Sequence, residues 1–243
     1  MKYMGSKSRI SKEILPIILK ERKVDQWYVE PFCGGCNMID KVDGLRIAAD
    51  INAPLISLFR EIQRGWKPPI ISKDEYSEVR SNPDKFPGYL VGWCAFGVSY
   101  CGKYFGGYAG VVKTKDGIRD YQREALSALL KQSAKLSDVH FKISGYSDLS
   151  IPEKSIIYCD PPYKGTTGYG LQFSHDDFWE WVRGNSVQGH SIFVSEYSAP
   201  EDFQCIWEKK IKSSLSANGI CGGNKESTEK LFVYNPQNRH SQC

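Results

Sequence analysis

Ser155-Ile156-Ile157-Tyr158-Cys159-Asp160-Pro161-Pro162-Tyr163 is the stretch from which the fold is read. The short apolar run 155–159, closed by a proline pair, reads as a buried strand rather than a helix. It ends in a carboxylate, two prolines and an aromatic ring. Proline fixes φ and carries no N–H, so the backbone there offers carbonyl acceptors with no proline donors beside them. Such a ledge suits an exocyclic amine on a planar ring: two acceptors hold its two N–H hydrogens while Tyr163 stacks on the flat face. Taken alone, the same residues would also serve as a proline-rich turn capping a strand.

Outward from that strand, apolar runs alternate with helical spacing. Residues 10–23 read as a helix with Pro16 a kink point. Residues 26–30 read as a strand running into Pro31-Phe32-Cys33-Gly34-Gly35, and 45–50 as a second strand. Asn52 can cap a helix over 54–63, with Pro54 in its first turn. Helix 119–136, strands 141–144 and 155–159, helix 177–183 and strand 190–195 follow. A terminal antiparallel hairpin over 207–214 and 230–235 closes the series, with a frayed tail at 236–243. This alternation predicts an α/β fold with a mainly parallel, doubly wound sheet, whose ligands sit beyond the carboxyl ends of the strands. Glu30, Asp50 and Asp160 all fall at such ends.

Between these units the pattern changes. Pro68-Pro69, Asn82-Pro83 and Phe86-Pro87-Gly88 punctuate the chain, and residues 97–110 are dense in glycine and aromatics. The expected domains are therefore a discontinuous one over 1–65 and 136–243, and a mainly helical insert over 66–135. The formal charge of +4 is mild. From Ser99 to Lys135, however, Lys103, Lys113, Lys115, Arg119, Arg123, Lys131 and Lys135 outnumber Asp116, Asp120 and Glu124 by as much as the excess of the whole chain. That points to a polyanion, or equally to a solvated helix face.

No signal peptide is read at Met1-Lys2 and no apolar run reaches membrane-spanning length, so a cytoplasmic protein without membrane partners is expected. The eight cysteines are scattered. Cys33-Gly34-Gly35-Cys36 matches C-x-x-C without a second pair, so no metal site is expected and a redox role is the lesser reading. The glycine turn after the first strand lets a ligand approach the backbone. Asp50, twenty residues after Glu30, stands where a carboxylate grips ribose hydroxyls, or where it would cap the following helix. A nicotinamide ligand would share this logic, although the loop lacks the third glycine of that fingerprint.

Val29-Glu30-Pro31-Phe32-Cys33-Gly34-Gly35, then Ala49-Asp50-Ile51-Asn52, then Tyr158-Cys159-Asp160-Pro161-Pro162-Tyr163 resembles the DNA adenine-N6 methyltransferase family. The group it resembles is the Dam-like, D12 class of bacteria and their phages. Lys2-Tyr3-Met4-Gly5-Ser6-Lys7 reads like the opening K-[WY]-x-G-x-K segment of that group. The resemblance covers residues 2–60 and 141–235 and is faint between them. It implies a Rossmann-like S-adenosylmethionine-dependent methyltransferase sheet, with the insert serving target recognition.

The resemblance further implies that Tyr3 and Lys7 contact the methionine end of S-adenosylmethionine, and that Glu30, Pro31, Phe32 and Gly34 wrap methionine and ribose. Asp50 would hold the ribose, and Tyr146 and Asp148 would reach the adenine ring. Cys33 and Cys36 depart from the family, which often has small or aliphatic residues around a second glycine there, and Cys36 is expected to alter loop shape rather than abolish binding. Asp160, Pro161, Pro162 and Tyr163 would form the catalytic corner, with Asp160 also beside the cofactor. The implied partner is double-stranded DNA in a bacterial cell or phage-infected host; a monomer is compatible with the sequence.

Tyr100, Lys103 and Tyr104 in the aromatic-glycine stretch, Arg119 and Arg123, and Asn218 and Lys225 in a distal glycine loop are the candidate DNA contacts. Arginines can read guanine edges, but phosphate contact or a helix-face ion pair is at least as compatible with each. Cytosine N4, RNA adenine, a protein glutamine amide, a catalytically silent DNA-binding relative and a nicotinamide oxidoreductase are the alternatives. The leading Asp160 and the motif order favour adenine in DNA.

Overall fold

A computed structural model describes residues 1–115, 117–163, 173–212 and 226–237. The chain divides into two compact units: Met1–Leu15 with Trp27–Ser150, and Pro16–Gln26 with Ile151–Cys243. Helix α1, Ser11–Ile18, carries the chain from one unit into the other. It is shorter than the expected 10–23: Pro16 removes a backbone donor, and beyond Ile18 the chain continues as turns.

The first unit is built on three parallel strands in the order β5-β2-β1. Strand β1 is Tyr28–Glu30, β2 is Arg46–Asp50 and β5 is Val139–Ile143, paired Tyr28↔Arg46 and Asp50↔Ile143. Every residue of β1 and four of the five in β2 are buried, as parallel strands covered on both faces require. Helix α2, Ala53–Gln63, starts as expected: Asn52 Oδ1 accepts the Leu55 N–H at 3.0 Å. It buries Leu55, Ile56, Leu58, Phe59 and Ile62. Its outer side chains cover the edge of β5. Arg60 donates to the Phe141 carbonyl at 2.7 Å and Gln63 to those of Leu136 and Val139 at 2.6 and 2.9 Å. These side chains occupy acceptors that another strand would otherwise pair with.

Residues 66–135 belong to this first unit. Helix α3, Lys73–Ser81, opens with a capping box in which Ser72 and Glu75 satisfy each other's backbone N–H groups. Helix α4, Gly88–Gly92, runs into a π-helical turn, Trp93–Gly97, which is buried throughout. Two of the glycines there are required by close approach. A Cβ on Gly92 would lie 2.2 Å from the Pro54 carbonyl oxygen, and one on Gly97 2.1 Å from the Trp93 ring. An antiparallel hairpin follows, β3 Val111–Thr114 and β4 Gly117–Asp120, and then α5, Tyr121–Ser133. The helix expected to begin at 119 therefore begins at Tyr121. Arg119 is paired with Val112 in the hairpin, and Asp120 caps the helix through the Arg123 N–H.

The second unit carries β6, Ile156–Cys159, β7, Ser191–Glu196, β8, Phe203–Lys212, and β9, Glu226–Tyr234, in the order β6-β7-β9-β8. The pair β6/β7 is parallel, whereas β9 runs antiparallel to both β7 and β8. The terminal hairpin is thus present, with longer strands than expected and a register irregularity between Cys205 and Trp207. Helix α6, His175–Val187, is capped by Ser174 and buries Phe178, Trp179 and Val182. Its Arg183 holds Asp202 through both carboxylate oxygens, at 2.6 and 2.7 Å. The fold is the expected α/β type, mostly parallel with a terminal antiparallel hairpin.

Candidate functional site

In the first unit the glycine loop leaves β1 and is held by three groups. The Cys33 N–H donates to the Ala49 carbonyl at 2.9 Å, and the Cys36 N–H turns back to the Cys33 carbonyl at 2.8 Å. The Gly34 N–H donates to Asp50 Oδ2 at 3.1 Å. The other Asp50 oxygen accepts the Asn52 N–H at 2.9 Å. Asp50 therefore both staples the loop and orders the entry to α2. Burial pushes its carboxyl above the ordinary range, and the Asn52 and Gly34 N–H groups work against that rise. A carboxylate has about four lone-pair sites; two N–H donors leave it able to accept hydroxyls.

Gly34, at φ +45, and Gly35 admit Tyr3 against the loop. A Cβ on Gly35 would lie 2.5 Å from the Tyr3 Cβ, and one on Gly34 2.7 Å from its ring. Tyr3 stacks on Phe96 of the π-helical turn at 5.4 Å between ring centroids. The backbone of the same segment meets Gly102, whose φ of +65 and lack of a side chain allow it within reach of the Lys2 carbonyl. The Met4 N–H donates to the Gly102 carbonyl at 3.3 Å. Lys7 lies in a short 3-10 turn capped by Ser6 and is buried. Glu30 is buried too, accepting the Tyr28 hydroxyl at 2.9 Å.

Phe32 and Tyr146 are in ring contact at 5.5 Å, so the structure brings together two cofactor candidates that lie far apart in sequence. Asp148 is exposed on the turn after β5, where its N–H meets the Gly145 carbonyl. Sequence reasoning missed Gln132. This buried side chain of α5 donates to the carbonyls of Gly35 and Cys36 at 3.1 and 2.9 Å, fixing the glycine loop from that helix. A lone glutamine on an amphipathic helix carries no signal that it will find such partners. The thiols of Cys33 and Cys36 are buried and both pushed up, chiefly by that burial, which makes them poor nucleophiles. Pro31 is buried beside them.

In the second unit the four residues of β6 are buried and Asp160 follows them, half-buried. Pro161 is buried and Pro162 half-buried. The Tyr158 hydroxyl pairs with the Ser195 hydroxyl at 2.8 Å, locking β6 to β7 just beneath the corner. Tyr163 is 9% exposed and donates its hydroxyl to Glu229 of β9 at 2.8 Å. Burial, and then the nearby Asp160 and Glu229 carboxylates, push its phenol well above the ordinary range. Its ring meets that of Tyr197 edge to face, at 4.5 Å and 82°. Glu229 and Tyr197 are the partners that sequence reasoning missed.

Among the DNA candidates, Tyr100 is 63% exposed and Lys103 is exposed. Tyr104 packs edge-on against Phe96 and Phe105 and remains partly open. Arg119 grips Glu124 through two bonds, at 2.9 and 2.7 Å, and lies over the Tyr121 ring. Lys2 adds a contact to the same carboxylate at 3.3 Å, and Glu124 is held down at about 2. Arg123 pairs with Asp120 at 3.1 Å. Arg123 thus pairs within the first turn of α5 with its capping residue, whereas Arg119 reaches from the hairpin strand to Glu124 of α5. Val111, Val112 and Ile118 leave an apolar surface exposed on the hairpin. Asn218 and Lys225 lie outside the described residues. Among the described residues, no helix is long and apolar enough to cross a membrane.

Residues 3–88 match the model of the D12 class N6 adenine-specific DNA methyltransferases, the family that the sequence resembles. Among solved structures, the chain is similar to SMU.472, described as a candidate methyltransferase and complexed with SAH. That likeness has 13% identity and a TM-score of 0.37 over 95% of this chain and 54% of the other. A candidate methyltransferase from Thermoplasma acidophilum is similar at 10% identity and a TM-score of 0.27, over 51% of this chain and 54% of the other. The chain thus spans about half the length of these two proteins.

Proposed function

We propose, proceeding from the D12-class match over residues 3–88, that the protein is a DNA adenine-N6 methyltransferase. It would move the methyl group of S-adenosylmethionine to the exocyclic amine of an adenine extruded from double-stranded DNA. The observation that carries this reading is the Asp160-Pro161-Pro162-Tyr163 corner, which closes a fully buried strand and lies outside the matched span.

The first unit's residues fit the cofactor. Asp50 keeps acceptor capacity for a ribose diol after its two backbone bonds, and the glycine loop exposes no side chain at Gly34 and Gly35. Phe32 and Tyr146 supply a flat apolar wall for an adenine ring. When bound, S-adenosylmethionine supplies an electrophilic methyl group on a cationic sulfur. The lone pair of the target amine is delocalised into its ring, which makes it a poor nucleophile. The Asp160 carboxylate and the Pro161 carbonyl accept the two N–H hydrogens and concentrate electron density on nitrogen. As nitrogen becomes cationic, the Asp160 carboxylate stabilises the developing charge, and then it or water takes the released proton.

The amine cannot be reached within a stacked duplex, so the base is extruded at a cost of roughly a few kcal/mol. Tyr100, Lys103 and Tyr104 are the exposed insert groups for the DNA, with Arg119 and Arg123 beside them. The protein acts in the cytoplasm of a bacterial or phage-infected cell on this reading.

The test is transfer of labelled methyl groups to unmethylated plasmid DNA by wild type and Asp160→Ala, followed by mapping of the modified base. The variant should keep S-adenosylhomocysteine binding by calorimetry and lose transfer by at least about 10²-fold. Undiminished methylation by the variant would remove the mechanism, and label on cytosine or only on RNA would replace the substrate.

A further inference from the structure

We propose that the depression between the last turn of α2 and the outer edge of β5 binds a phosphoryl group, held by Arg60, Arg64 and Lys142. The site is separate from the methyltransferase reading and does not depend on it. The depression has a volume of about 400 Å³, and Ser137, Asp138 and His140 line it with those three cations. Three permanent positive charges thus meet one carboxylate, in a space of the size that small ligands occupy. Strand β5 lies at the edge of its sheet, whereas Asp50 and the glycine loop stand at the carboxyl ends of β2 and β1.

Arg60 is fixed in place. Its Nε and Nη2 atoms both donate to the Phe141 carbonyl, at 3.3 and 2.7 Å. That spends one edge of the planar guanidinium and leaves Nη1 with the outer Nη2 hydrogen as a fork, the geometry that matches phosphate oxygens. Gln63 spends its amide hydrogens on the Leu136, Ser137 and Val139 carbonyls, so the depression offers side-chain donors rather than a strand edge to pair with. Lys142 is exposed and makes no ion pair among the described residues. Arg64, its side chain 72% exposed, pairs with Glu61, a surface contact weak enough to be exchanged for a phosphate. His140 stands edge-on to Trp27 at 5.2 Å and adds an N–H donor to the rim. Asp138 repels an anion on its own side but accepts a hydroxyl, so a phosphorylated sugar fits this lining better than a bare anion.

The experiment titrates the isotope-labelled full chain with ribose 5-phosphate and follows the amide resonances. The amides of residues 60–64 and 137–142 should shift together. Arg64→Gln combined with Lys142→Gln should weaken binding by at least about tenfold. The melting temperature of that double variant should match wild type, because both side chains are exposed. Arg60 is left intact, since it also serves the Phe141 carbonyl. Shifts confined to other residues, or equal affinity for wild type and the double variant, would overturn the site. A short oligothymidylate that displaces ribose 5-phosphate from the same amides would assign the phosphoryl group to a nucleic-acid backbone; failure to displace it would assign a free phosphorylated compound. Methyl transfer is not part of the readout, so this result and the fate of the methyltransferase reading are distinguishable.

Discussion

Asp50 accepts the Gly34 N–H at 3.1 Å, linking the end of β2 to the loop that leaves β1. One carboxylate thus sets the shape of the glycine loop and remains available to hydroxyl donors. The glycine loop is in this sense pre-shaped by the residue proposed to hold the ribose.

Asp50→Asn should weaken S-adenosylhomocysteine binding by about tenfold or more, since a neutral amide accepts hydroxyl hydrogen bonds less strongly than a carboxylate. Titration calorimetry measures this. In wild type the affinity should fall as pH drops through the Asp50 folded value, which lies above its ordinary 3.8. The sign for stability is opposite. A folded value raised above the unfolded one contributes stability present below pH 3.8 and lost as pH rises through the folded value. Replacement by Asn should therefore not lower the melting temperature at neutral pH through loss of charge. A pH-independent affinity would contradict this account.

Gln132→Leu removes the donor that serves the Gly35 and Cys36 carbonyls. Stranding buried acceptors costs about 1–3 kcal/mol, so chemical denaturation should show a loss of that order. The glycine loop should also exchange its amide hydrogens faster. Retained stability with unchanged exchange would mean that α5 does not hold the loop.

Gly92→Ala places a methyl group against the Pro54 carbonyl, a backbone atom with no flexible end to swing away. Overpacking of this kind costs about 1–3 kcal/mol, visible as a lowered denaturation midpoint. A neutral result would show that α2 and α4 can separate without cost.

Glu124→Gln should release Arg119 and Lys2 from their shared carboxylate. If the insert tracks phosphate, affinity for DNA rises and the slope of log K against log salt steepens by about one phosphate contact. Binding measured across a salt series checks it, and an unchanged slope would place the DNA elsewhere. In wild type the ion pair contributes stability present above about pH 4.5 and lost as pH falls towards about 2.

Local sequence rules accounted for the parts decided by short-range chemistry. Asn52 caps α2 because its oxygen reaches an N–H three residues on, and β6 is legible because a buried parallel strand must be apolar throughout. Arg119 was misplaced on a helix because two exposed strands carry little pattern; their pairing with Val112 comes from the hairpin register.

The sequence by itself determined the alternation of strands and helices, the three acidic strand ends and the order of motifs, because periodicity, caps and proline geometry act over a few residues. The tertiary structure alone decided that Gln132 clamps a loop ninety-odd residues away, that Arg119 meets Glu124, and that Tyr163 is tied to Glu229 and faces Tyr197. Those contacts depend on which surfaces the packed strands and helices bring within hydrogen-bond or ring distance. A side chain with several possible partners reveals in one dimension nothing of which it will meet.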